Sequence, residues 1–555
     1  MHKKRTYRRR AKEQSDSDEE ISNVITDATS IPKPLGLSFD DSLESESPFI
    51  PRAPQPRSEA NAKVLNDSKA KDDQETSEAP ILEGADPRLT IKNLEDKGVS
   101  VFAATAIPAG QTLIREQPYG AVIDDTNLTK YCTACFKASE QPLSRCSSCK
   151  FLHYCSRQCQ ISDWKQYHSI ECPSYTKIGK RIPAAVRCIT RMLIRRANDP
   201  TSFKTVERLT VGKDAVPEKV KMKYAQLIMA VRQILPAKMM PSAGDTMELI
   251  CRFTVNSMSV LGFDYAGVGV GLFTNVCRLN HSCWPNCAIT FEGKTAVLRT
   301  IGHVEESEEL CISYIDVMEP YETRQERLLE QYYFKCQCKL CGITKDIDIR
   351  SALRCLRKDC TGAVRYPDNL EESREMYTSL CSVCSTELIV PLADIQERQD
   401  RVENLLKLSS SMTSTDKPRA RLNLENAFRI GDGILHNCHH LLVKARQQLK
   451  DIAIDMKDWE TAYSVTKQLY EAYQHIYPSN SPITAIECYV IAKMYSNLHP
   501  EYSWTLHAHY VQALKLLEVC YETNSSVLQS VRREIRELEA EQSFAQMQRH
   551  GHDVQ

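Results

Sequence analysis

The sequence has no long apolar stretch. No segment approaches the roughly 18 consecutive apolar residues that a membrane-spanning helix needs, and the chain starts Met-His-Lys-Lys, without the apolar core of a secretory signal peptide. These absences argue against a membrane protein and predict an intracellular one. Inside cells thiols stay reduced, so clustered cysteines bind metal ions more often than they form disulfides.

Net charge is also lacking. The 71 Lys and Arg residues nearly balance the 72 Asp and Glu residues, so whole-molecule electrostatics favours neither nucleic acid nor a membrane surface. The charge is locally uneven, because residues 3–12 carry seven basic side chains and residues 15–20 are mostly acidic. The basic run is typical of a nuclear import signal or a nonspecific phosphate-binding arm; the alternative is a solvated charge cluster without a partner.

Residues 1–87 lack cysteine and have few aromatic residues. They are rich in Ser, Pro, Asp, Glu and Lys, a composition that buries too little apolar surface to offset the conformational entropy of the chain. This extension is therefore predicted to be disordered. The 555 residues of the whole chain are enough for about two to four domains of ordinary size.

Cysteine, by contrast, is abundant, with 23 residues. Between residues 132 and 172, cysteines and one histidine form four pairs, which supply the ligands of two closed tetrahedral zinc sites. In the last two pairs the ligands are one helical turn apart, so both members can face one ion. Cysteines are also common small core residues, but a packed core does not require such regular pairs. The predicted ligands are Cys132, Cys135, Cys146, Cys149, Cys155, Cys159, His168 and Cys172.

A second cysteine set is one ligand short of a closed structural zinc site. Cys336, Cys338 and Cys341 form a C-x-C-x2-C loop. Cys283, which lies in the polar run 280–284, is the best candidate for the fourth ligand. A zinc ion shared by these four residues would hold the loop beside the polar run and form one wall of a pocket.

A third set, Cys355-x4-Cys360 and Cys381-x2-Cys384, has the spacing of a zinc ribbon. It predicts a further zinc ion, and the alternative is four free thiols. The remaining cysteines lack paired spacing and are interpreted as small apolar core residues: Cys188, Cys251, Cys277, Cys287, Cys311, Cys438, Cys488 and Cys520.

Apolar periodicity divides the chain into β and helical regions. Alternating β-branched and polar residues with glycine turns predict strands at residues 98–103, at 112–115 and throughout 251–316. Between residues 175 and 249, apolar residues at three- and four-residue spacing predict helices.

Residues 396–546 are helical in pattern and free of strand signals. The segments that begin at Asp458-Trp459 and Ser503-Trp504 recur about 45 residues apart, with proline breakers between helices. This pattern suggests tetratricopeptide-like (TPR-like) helix pairs, which stack into a concave surface.

The order of these motifs resembles the SMYD family of lysine methyltransferases, in which a MYND zinc finger interrupts a SET domain and a cysteine-rich post-SET segment closes it. The resemblance covers roughly residues 89–342. It rests on the first cysteine block, Arg278-Leu-Asn-His-Ser-Cys-x-Pro-Asn286, Glu308-Glu-Leu-Cys-Ile-Ser-Tyr314 and the C-x-C-x2-C loop.

The resemblance implies an α+β fold. A β-rich SET domain is expected to be split by a MYND zinc finger and a helical insert, and to be followed by a post-SET zinc loop and a C-terminal TPR-like helical domain. The expected segments are the disordered extension (1–87), the N-terminal part of the SET domain (88–131), the MYND finger (132–172), the insert (173–250), the C-terminal part of the SET domain (251–316), the post-SET loop (317–342), a zinc-ribbon-like segment (343–395) and the helical domain (396–546).

The resemblance also implies the cofactors, S-adenosylmethionine and zinc, with three zinc sites. The fourth zinc site, in the ribbon-like segment, is predicted from cysteine spacing alone, because this segment is not part of the family pattern. Asn280 and His281 are expected to bind the adenine and backbone groups of S-adenosylmethionine, Asn256 to contact its methionine end and Phe334 to cover the adenine. The cofactor-binding positions implied are Lys97, Gly98, Asn256, Asn280, His281, Tyr314 and Phe334.

Two positions depart from the family pattern. Asp96-Lys97-Gly98 stands where a GxG is usual, and Lys97 and Gly98 are still expected to contact the cofactor. Ser307 stands where a glycine usually precedes Glu308, and it is interpreted as a turn substitution.

Tyr314 and Tyr332 occupy the family's tyrosine positions and are the implied catalytic residues. The hydroxyl of Tyr314 is expected to align the substrate amine with the methyl group, and Tyr332 is expected to line the lysine channel opposite it. The alternative for each tyrosine is a core residue with a satisfied hydroxyl.

The implied function is methyl transfer from S-adenosylmethionine to lysine side chains of histone or non-histone proteins, in the nucleus and cytoplasm. The alternative is an adaptor or transcriptional regulator whose MYND finger binds a proline-rich partner and whose SET domain is inactive. The presence of Asn280, His281, Tyr314 and the C-x-C-x2-C loop favours the enzyme.

Direct DNA binding is not expected. Lys150, Arg157 and Lys165 are scattered positive charges in the first cysteine block, whereas a nucleic-acid-binding face normally carries denser charge. The expected partner is a protein substrate with an accessible lysine, and the chain is expected to be a monomer.

Overall fold

The computed structural model describes residues 84–95, 97–139, 141–179, 182–211, 216, 218–367, 376–499 and 503–552. Residues 1–83, which contain most of the predicted disordered extension and its basic run, lie outside the described residues. Residues 84–87 are described and pack onto the β region, because the backbone N–H of Asp86 donates to the carbonyl of Leu113 (2.8 Å) and its carboxylate pairs with Arg88 (2.7 Å). The structure therefore describes four residues that were assigned to the disordered extension.

Twelve short strands lie between residues 89 and 312 of the described chain. They are β1 (Leu89–Leu94), β2 (Gly98–Ala103), β3 (Thr112–Glu116), β4 (Gly120–Ile123), β5 (Ser144–Arg145), β6 (His153–Tyr154), β7 (Ser257–Leu261), β8 (Gly267–Leu272), β9 (Asn280–His281), β10 (Cys287–Glu292), β11 (Thr295–Thr300) and β12 (Cys311–Ile312).

The strands form small sheets that reunite the two separated β segments. Two three-stranded sheets have the orders β10–β11–β3 and β4–β8–β7, so each combines a strand from before the interruption with two from after it. The hairpins β1–β2 and β5–β6 are antiparallel, whereas β9 and β12 pair in parallel. The predicted β domain split by an insertion is confirmed.

Burial of β-branched and leucine side chains explains these strands. Val101, Ile114, Val122 and Leu298 are at most 1% exposed, each on the inner face of its strand. A Cβ on Gly269 would lie 2.2 Å from the carbonyl oxygen of Val122, so only glycine allows β8 to approach β4 this closely.

The interruption contains a cysteine-rich module and a helical insert. A π-helical turn, Trp164–His168, joins the first two helices. The helices are α1 (Arg157–Asp163), α2 (Ser169–Ile178), α3 (Ala184–Asn198), α4 (Pro200–Glu207), α5 (Glu218–Arg232) and α6 (Ala243–Asn256). The helices predicted around α3 and α5 are confirmed.

The prediction that the β region starts at residue 251 is wrong by six residues, because α6 continues to Asn256. Cys251 and Phe253 are buried, as are Leu249 and Ile250 one turn earlier. The apolar pattern of this segment fits a buried helix face as well as a strand, and periodicity alone does not separate the two.

After the β-rich domain come two helices and two β hairpins. Hairpins β13–β14 and β15–β16 are antiparallel, and a bridge between Val364 and Cys381 joins them. The elements are α7 (Tyr321–Tyr332), α8 (Lys339–Thr344), β13 (Leu353–Arg354), β14 (Ala363–Val364), β15 (Met376–Leu380) and β16 (Glu387–Pro391).

The remaining described chain is helical, as predicted, and its consecutive helices pack against one another. Asp458 and Ser503, the residues that open the recurring segments, are N-caps, because their side chains accept the backbone N–H groups of Thr461 (3.2 Å) and Leu506 (3.1 Å). The helices are α9 (Leu392–Met412), α10 (Lys417–Gly431), α11 (His440–Asp455), α12 (Trp459–Ile476), α13 (Pro482–Leu498), α14 (Trp504–Cys520) and α15 (Ser526–His552).

Two large apolar cores meet near the middle of the molecule. One fills the β-rich domain and the helical insert. The other runs from Cys283 and Ile315 through the hairpins β13–β16 into helices α9–α12. Among the described residues, no helix combines the length and the apolar character needed to cross a bilayer.

Candidate functional site

A cavity of about 1110 Å³ lies where the β-rich domain, the cysteine loop and the helical domain meet. The residues that the sequence assigned to cofactor binding and catalysis all line it: Lys97, Gly98, Asn256, Asn280, His281, Tyr314, Tyr332 and Phe334. Residues separated by more than two hundred positions in sequence thus share one surface.

The parallel pair β9–β12 forms the base of the cavity. Asn280 lies opposite Cys311 and His281 opposite Ile312, so the chain that leaves β12 passes directly beside His281. The backbone N–H of Tyr314 donates to Nδ1 of His281 (3.0 Å). This bond fixes the imidazole and the start of the Tyr314 segment relative to each other.

The imidazole of His281 has protein partners at both nitrogens. Nδ1 accepts from Tyr314, so Nε2 carries the proton and faces Sγ of Cys283 at 3.2 Å. Burial lowers the pKa of His281 to about 4, so the ring is neutral near pH 7. A cofactor contact by His281 therefore has to come from its main chain.

Asn280 is held by polar groups that the sequence did not single out. Its Nδ2 donates to Oγ of Ser100 (2.7 Å) and to Oε1 of Glu309 (2.8 Å). Oε2 of Glu309 pairs with the ammonium of Lys97 (2.9 Å). Glu309 was part of a quoted motif, but Ser100 is a fully buried hydroxyl in β2 without a sequence signal.

Tyr314 and Tyr332 form an aromatic pair in the cavity, with ring centroids 4.8 Å apart. The hydroxyl of Tyr314 donates to the carbonyl of Leu279 (2.6 Å). Burial raises the pKa of both hydroxyls above the ordinary value for tyrosine. Both tyrosines are neutral at pH 7, so neither supplies a phenolate base.

Tyr333 explains how Tyr332 and Phe334 reach the same cavity. Its φ of 64° is left-handed and ends α7. Tyr332 and Phe334 both line the cavity. The ring of Phe334 lies 6.1 Å from that of His281.

Asn256 lies at the end of α6, on the cavity wall. Its Nδ2 donates to the carbonyls of Arg252 (2.8 Å) and Thr210 (3.0 Å). The amide group therefore also closes α6 and ties it to the chain after α4. Gly98 has a φ of 69°, a conformation that L-residues rarely adopt.

Four sets of side chains each bring their metal-ligating atoms within 4.8 Å of one another. The sets are Cys132, Cys135, Cys155 and Cys159; Cys146, Cys149, His168 and Cys172; Cys283, Cys336, Cys338 and Cys341; and Cys355, Cys360, Cys381 and Cys384. These are the sixteen residues that the sequence grouped by spacing.

The set around Cys283 has the four ligand atoms that the cysteine spacing predicted. Sγ of Cys283 lies 3.5 Å from Sγ of Cys341, too far for a disulfide. Gln325 of α7 holds the loop by donating to the carbonyl of Cys336 and by accepting its N–H, both at 2.9 Å. No spacing motif pointed to Gln325.

The first cysteine block forms two interleaved sets, in which the first and third pairs share one site and the second and fourth share the other. Nε2 of His168 faces Sγ of Cys149 (3.4 Å), and its Nδ1 lies 3.5 Å from the carboxylate of Glu171. Glu171 is buried and also pairs with Arg191 of α3 (3.0 Å). A carboxylate behind a ligating histidine fixes the orientation of its ring.

Comparison with known proteins identifies the β-rich region. A SET domain model matches residues 98–315. The Arabidopsis thaliana protein Histone-lysine N-methyltransferase ASHR1 is 26% identical over 83% of this chain and 98% of its own length. The Gallus gallus protein N-lysine methyltransferase SMYD2 is 24% identical over 80% of this chain and 95% of its own.

A third relative matches a shorter part. The Schizosaccharomyces pombe SET domain and MYND-type zinc finger protein 6 is 33% identical over 46% of this chain and 53% of its own length. This chain therefore contains a SET domain and is similar to proteins of the SMYD family. Its cofactors are S-adenosylmethionine and zinc.

The cysteine sets fit zinc. In a tetrahedral site with Zn–S bonds of about 2.3 Å, sulfur atoms lie about 3.8 Å apart. The observed separations are 3.5 Å for Cys283–Cys341, 3.7 Å for Cys135–Cys155 and 3.8 Å for Cys146–Cys172. Thiolate ligands suit zinc among the common biological metals.

The cavity also fits S-adenosylmethionine. Ligand pockets typically have volumes of about 300–1000 Å³, so a cavity of about 1110 Å³ has room for a cofactor and an incoming side chain. The rings of Phe334, Tyr314 and Tyr332 supply aromatic faces, which attract a positively charged sulfonium. The ammonium of Lys97 is neutralised by Glu309.

One wall of the cavity was not predicted in detail. The lining residues from the helical domain are Tyr477, Pro478, Ser481, Pro482 and Ile483. The hydroxyl of Tyr477 donates to Oδ1 of Asp316 (2.9 Å), two residues after Tyr314. Sequence periodicity suggested helices here, but it gives no information about which inter-helix turn faces the cavity.

Proposed function

We propose that this chain is a protein-lysine methyltransferase whose SET domain uses Tyr314 and Tyr332 to position the substrate amine. The main support is the cavity in which Tyr314 of the matched SET domain and Tyr332 of the segment after it lie beside Asn280 and His281. The adaptor alternative has no observation in its favour.

The reaction requires an uncharged amine. Near pH 7 a free lysine, with a pKa of about 10.4, must lose its proton at a cost of about 4.6 kcal/mol unless the site contributes. When bound, S-adenosylmethionine supplies a methyl group on a positively charged sulfur. The partly buried rings of Tyr314 and Tyr332 exclude water from the amine, and desolvation favours its neutral form.

Tyr314 acts by orientation, because its hydroxyl is neutral and already donates to Leu279. The phenolic oxygen can still accept an N–H from the substrate amine, which leaves the amine lone pair to point elsewhere. Such positioning contributes several kcal/mol in well-oriented reactions. Tyr332 limits the freedom of the amine from the opposite side.

The cofactor contacts follow from which groups remain accessible. Nδ2 of Asn280 and both ring nitrogens of His281 have protein partners. We therefore assign the adenine contact to the main chain of His281 and to Oδ1 of Asn280. Phe334 would cover the adenine, Asn256 would contact the methionine end, and Lys97 and Gly98 would contact the cofactor.

Incubation of the full chain with radiolabelled S-adenosylmethionine and a cell lysate tests this proposal. Labelled protein with the label on lysine is expected. Tyr314→Phe should reduce transfer by about 100-fold or more while cofactor affinity stays nearly unchanged. Tyr333→Phe is the matched control, because Tyr333 is adjacent in sequence and does not line the cavity.

Two results would contradict this proposal. Unchanged turnover in Tyr314→Phe would remove the positioning role. Cofactor binding without any labelled lysine in histones or other lysate proteins would support the inactive-domain alternative.

The first cysteine block, residues 132–172, is the proposed MYND finger, and its partner is a proline-rich peptide. Ile161 and Trp164 are exposed on the helical face of this module, and exposed aromatic side chains commonly bind polyproline helices. A proline-rich peptide is expected to shift the fluorescence of Trp164, and Trp164→Ala should abolish its binding.

The basic run at residues 3–12 supports a nuclear as well as a cytoplasmic location for the protein. Replacement of Arg8, Arg9 and Arg10 by alanine in a fluorescent fusion should then shift the protein towards the cytoplasm. An unchanged distribution would leave the run as a solvated charge cluster.

A further inference from the structure

We propose that Cys355, Cys360, Cys381 and Cys384 bind a fourth zinc ion, in a ribbon formed by the hairpins β13–β14 and β15–β16. Their sulfur atoms all lie within 4.8 Å of one another. Sγ of Cys355 is 3.5 Å from that of Cys384, and Sγ of Cys360 is 3.7 Å from that of Cys381. These separations match a tetrahedral zinc–thiolate site and are too long for disulfides.

The backbone around Cys381 and Cys384 has the same geometry as the two C-x2-C turns of residues 132–172. In each turn, the residue after the second cysteine donates its N–H to the carbonyl of the first cysteine. The bonds are Phe136 to Cys132 (2.8 Å), Lys150 to Cys146 (2.9 Å) and Ser385 to Cys381 (3.1 Å).

The same three residues are left-handed. Their φ angles are 61° for Phe136, 56° for Lys150 and 54° for Ser385. This conformation costs a non-glycine residue roughly 1–2 kcal/mol, so it persists only where the surroundings impose it. Its recurrence in three cysteine turns points to the same cause, namely four ligands directed at one ion.

Backbone N–H groups also point at the sulfur atoms of the ribbon. The N–H of Gly362 faces Sγ of Cys360 (3.4 Å), and that of Val383 faces Sγ of Cys381 (3.5 Å). Such donors favour thiolate over thiol. A Cβ on Gly362 would lie 2.3 Å from Sγ of Cys381, so glycine permits the two hairpins to approach.

Apolar burial alone gives the ribbon little support. Among its described residues, large exposed side chains include Leu356, Met376, Leu380, Val383 and Ile389. The buried apolar side chains are few and lie on the side that faces the helical domain. An ion bound by four thiolates provides the stabilisation that a small core lacks, on the order of 10 kcal/mol for a structural zinc site.

The ribbon is attached to the helical domain. The backbone N–H of Arg354 donates to the carbonyl of Ile434 (2.9 Å), and Leu353 forms a bridge with Leu435. The strand β16 runs directly into α9. The fourth ion therefore holds the first helices of the C-terminal domain to the end of the cysteine loop, away from the cofactor cavity, whose lining includes none of the four cysteines.

Metal analysis of the purified full chain tests the proposal. Inductively coupled plasma mass spectrometry is expected to find four zinc ions per chain, one for each set of ligands. The double variant Cys381→Ser/Cys384→Ser should hold three and should still bind S-adenosylmethionine. Cys438→Ser/Cys520→Ser is the matched control, because these cysteines are buried and lie outside the four sets, and it should hold four.

Alkylation of the wild-type chain gives a second measurement that needs no variant. Native protein treated with iodoacetamide should show Cys355, Cys360, Cys381 and Cys384 protected until a chelator is added. Three zinc ions in the wild type, rapid labelling of these thiols without chelator, or an unchanged zinc content in a folded double variant would each overturn the proposal.

Discussion

The two walls of the cavity are held by different physical means. The wall that contains Cys283 and the loop of residues 336–341 is fixed by a set of four thiols. The opposite wall, residues 477–483, is fixed by hydrogen bonds and burial. Asn480 donates to the carbonyl of Ile301 (2.8 Å), and the hydroxyl of Tyr477 donates to Asp316 (2.9 Å).

Arg350 links the second wall to the rest of the molecule. Its guanidinium is buried and donates to the carbonyls of Val317 (2.6 Å) and Ile476 (2.7 Å), while Asp348 balances its charge. The comparison teaches that the cofactor side depends on a metal ion, whereas the helical side depends on many small contributions. Loss of the ion should therefore release its wall in one step, whereas substitutions on the helical side should each weaken that wall by a small amount.

The largest expected effect is on the metal-held wall. Cys338→Ser removes one of four thiolate ligands, so the zinc ion should be lost and residues 334–341 should detach from Cys283. S-adenosylmethionine binding, measured by isothermal titration calorimetry, should fall below detection together with methyl transfer. Cys488→Ser in α13 is the control and should retain both cofactor binding and methyl transfer.

The helical domain should survive this loss. Its far-ultraviolet circular dichroism should keep the helical signal of α9–α15 in the Cys338→Ser variant. Unchanged affinity for S-adenosylmethionine in that variant would contradict the proposed difference between the two walls.

The pH dependence tests the aromatic channel between the walls. Because burial raises the pKa values of Tyr314 and Tyr332 above their ordinary range, neither hydroxyl titrates between pH 6 and 9. Only the substrate lysine should then shape the profile. kcat/KM should rise about tenfold per pH unit until the lysine is neutral, and a bell-shaped profile in this range would contradict neutral tyrosines.

A smaller effect is expected on the helical wall. Tyr477→Phe removes the hydroxyl that donates to Asp316, and loss of such a buried hydrogen bond costs about 1–3 kcal/mol. KM for the protein substrate should increase several-fold, while the affinity for S-adenosylmethionine should be unchanged. Initial rates with a peptide substrate and calorimetry of the cofactor separate the two quantities.

Tyr463→Phe is the matched control for this change, because Tyr463 lies on α12 and does not line the cavity. Equal effects of the two variants on KM would mean that Tyr477 has only a structural role.

The smallest expected effect leaves both walls intact. Ser307 has a φ of 64°, which confirms its interpretation as a turn substitution at a position where family members have glycine. Ser307→Gly relieves this strain and should stabilise the fold by up to about 1 kcal/mol. Thermal unfolding should show a small increase in Tm, whereas Glu306→Gly, at an ordinary backbone angle, should lower it.

Local spacing was sufficient to predict the ligand pairs, since a C-x2-C turn or one helical turn brings both members to one ion. It did not predict which pairs share an ion. That depends on how β5–β6 and α1 fold back on each other, and the pairs of residues 132–172 proved to be interleaved.

Motif matching placed Asn280, His281 and Tyr314 in one cavity, but it did not predict the protein partners of the His281 ring. The ring nitrogens bond to Cys283 and Tyr314, and this follows from the parallel pairing of β9 with β12, which only the fold determines. Ser100 and Gln325 were missed for the same reason. Each is an ordinary polar residue until the chain brings it to its partner.

The imidazole of His281 contacts a sulfur of the cysteine set on one side and the backbone N–H of Tyr314 on the other. Occupancy of the cavity and occupancy of that set are therefore thermodynamically linked. The linkage is reciprocal: if bound zinc increases the affinity for the methyl donor by some factor, the bound methyl donor increases the affinity for zinc by the same factor. In a cell with fluctuating free zinc, an abundant supply of the donor would keep the protein metallated.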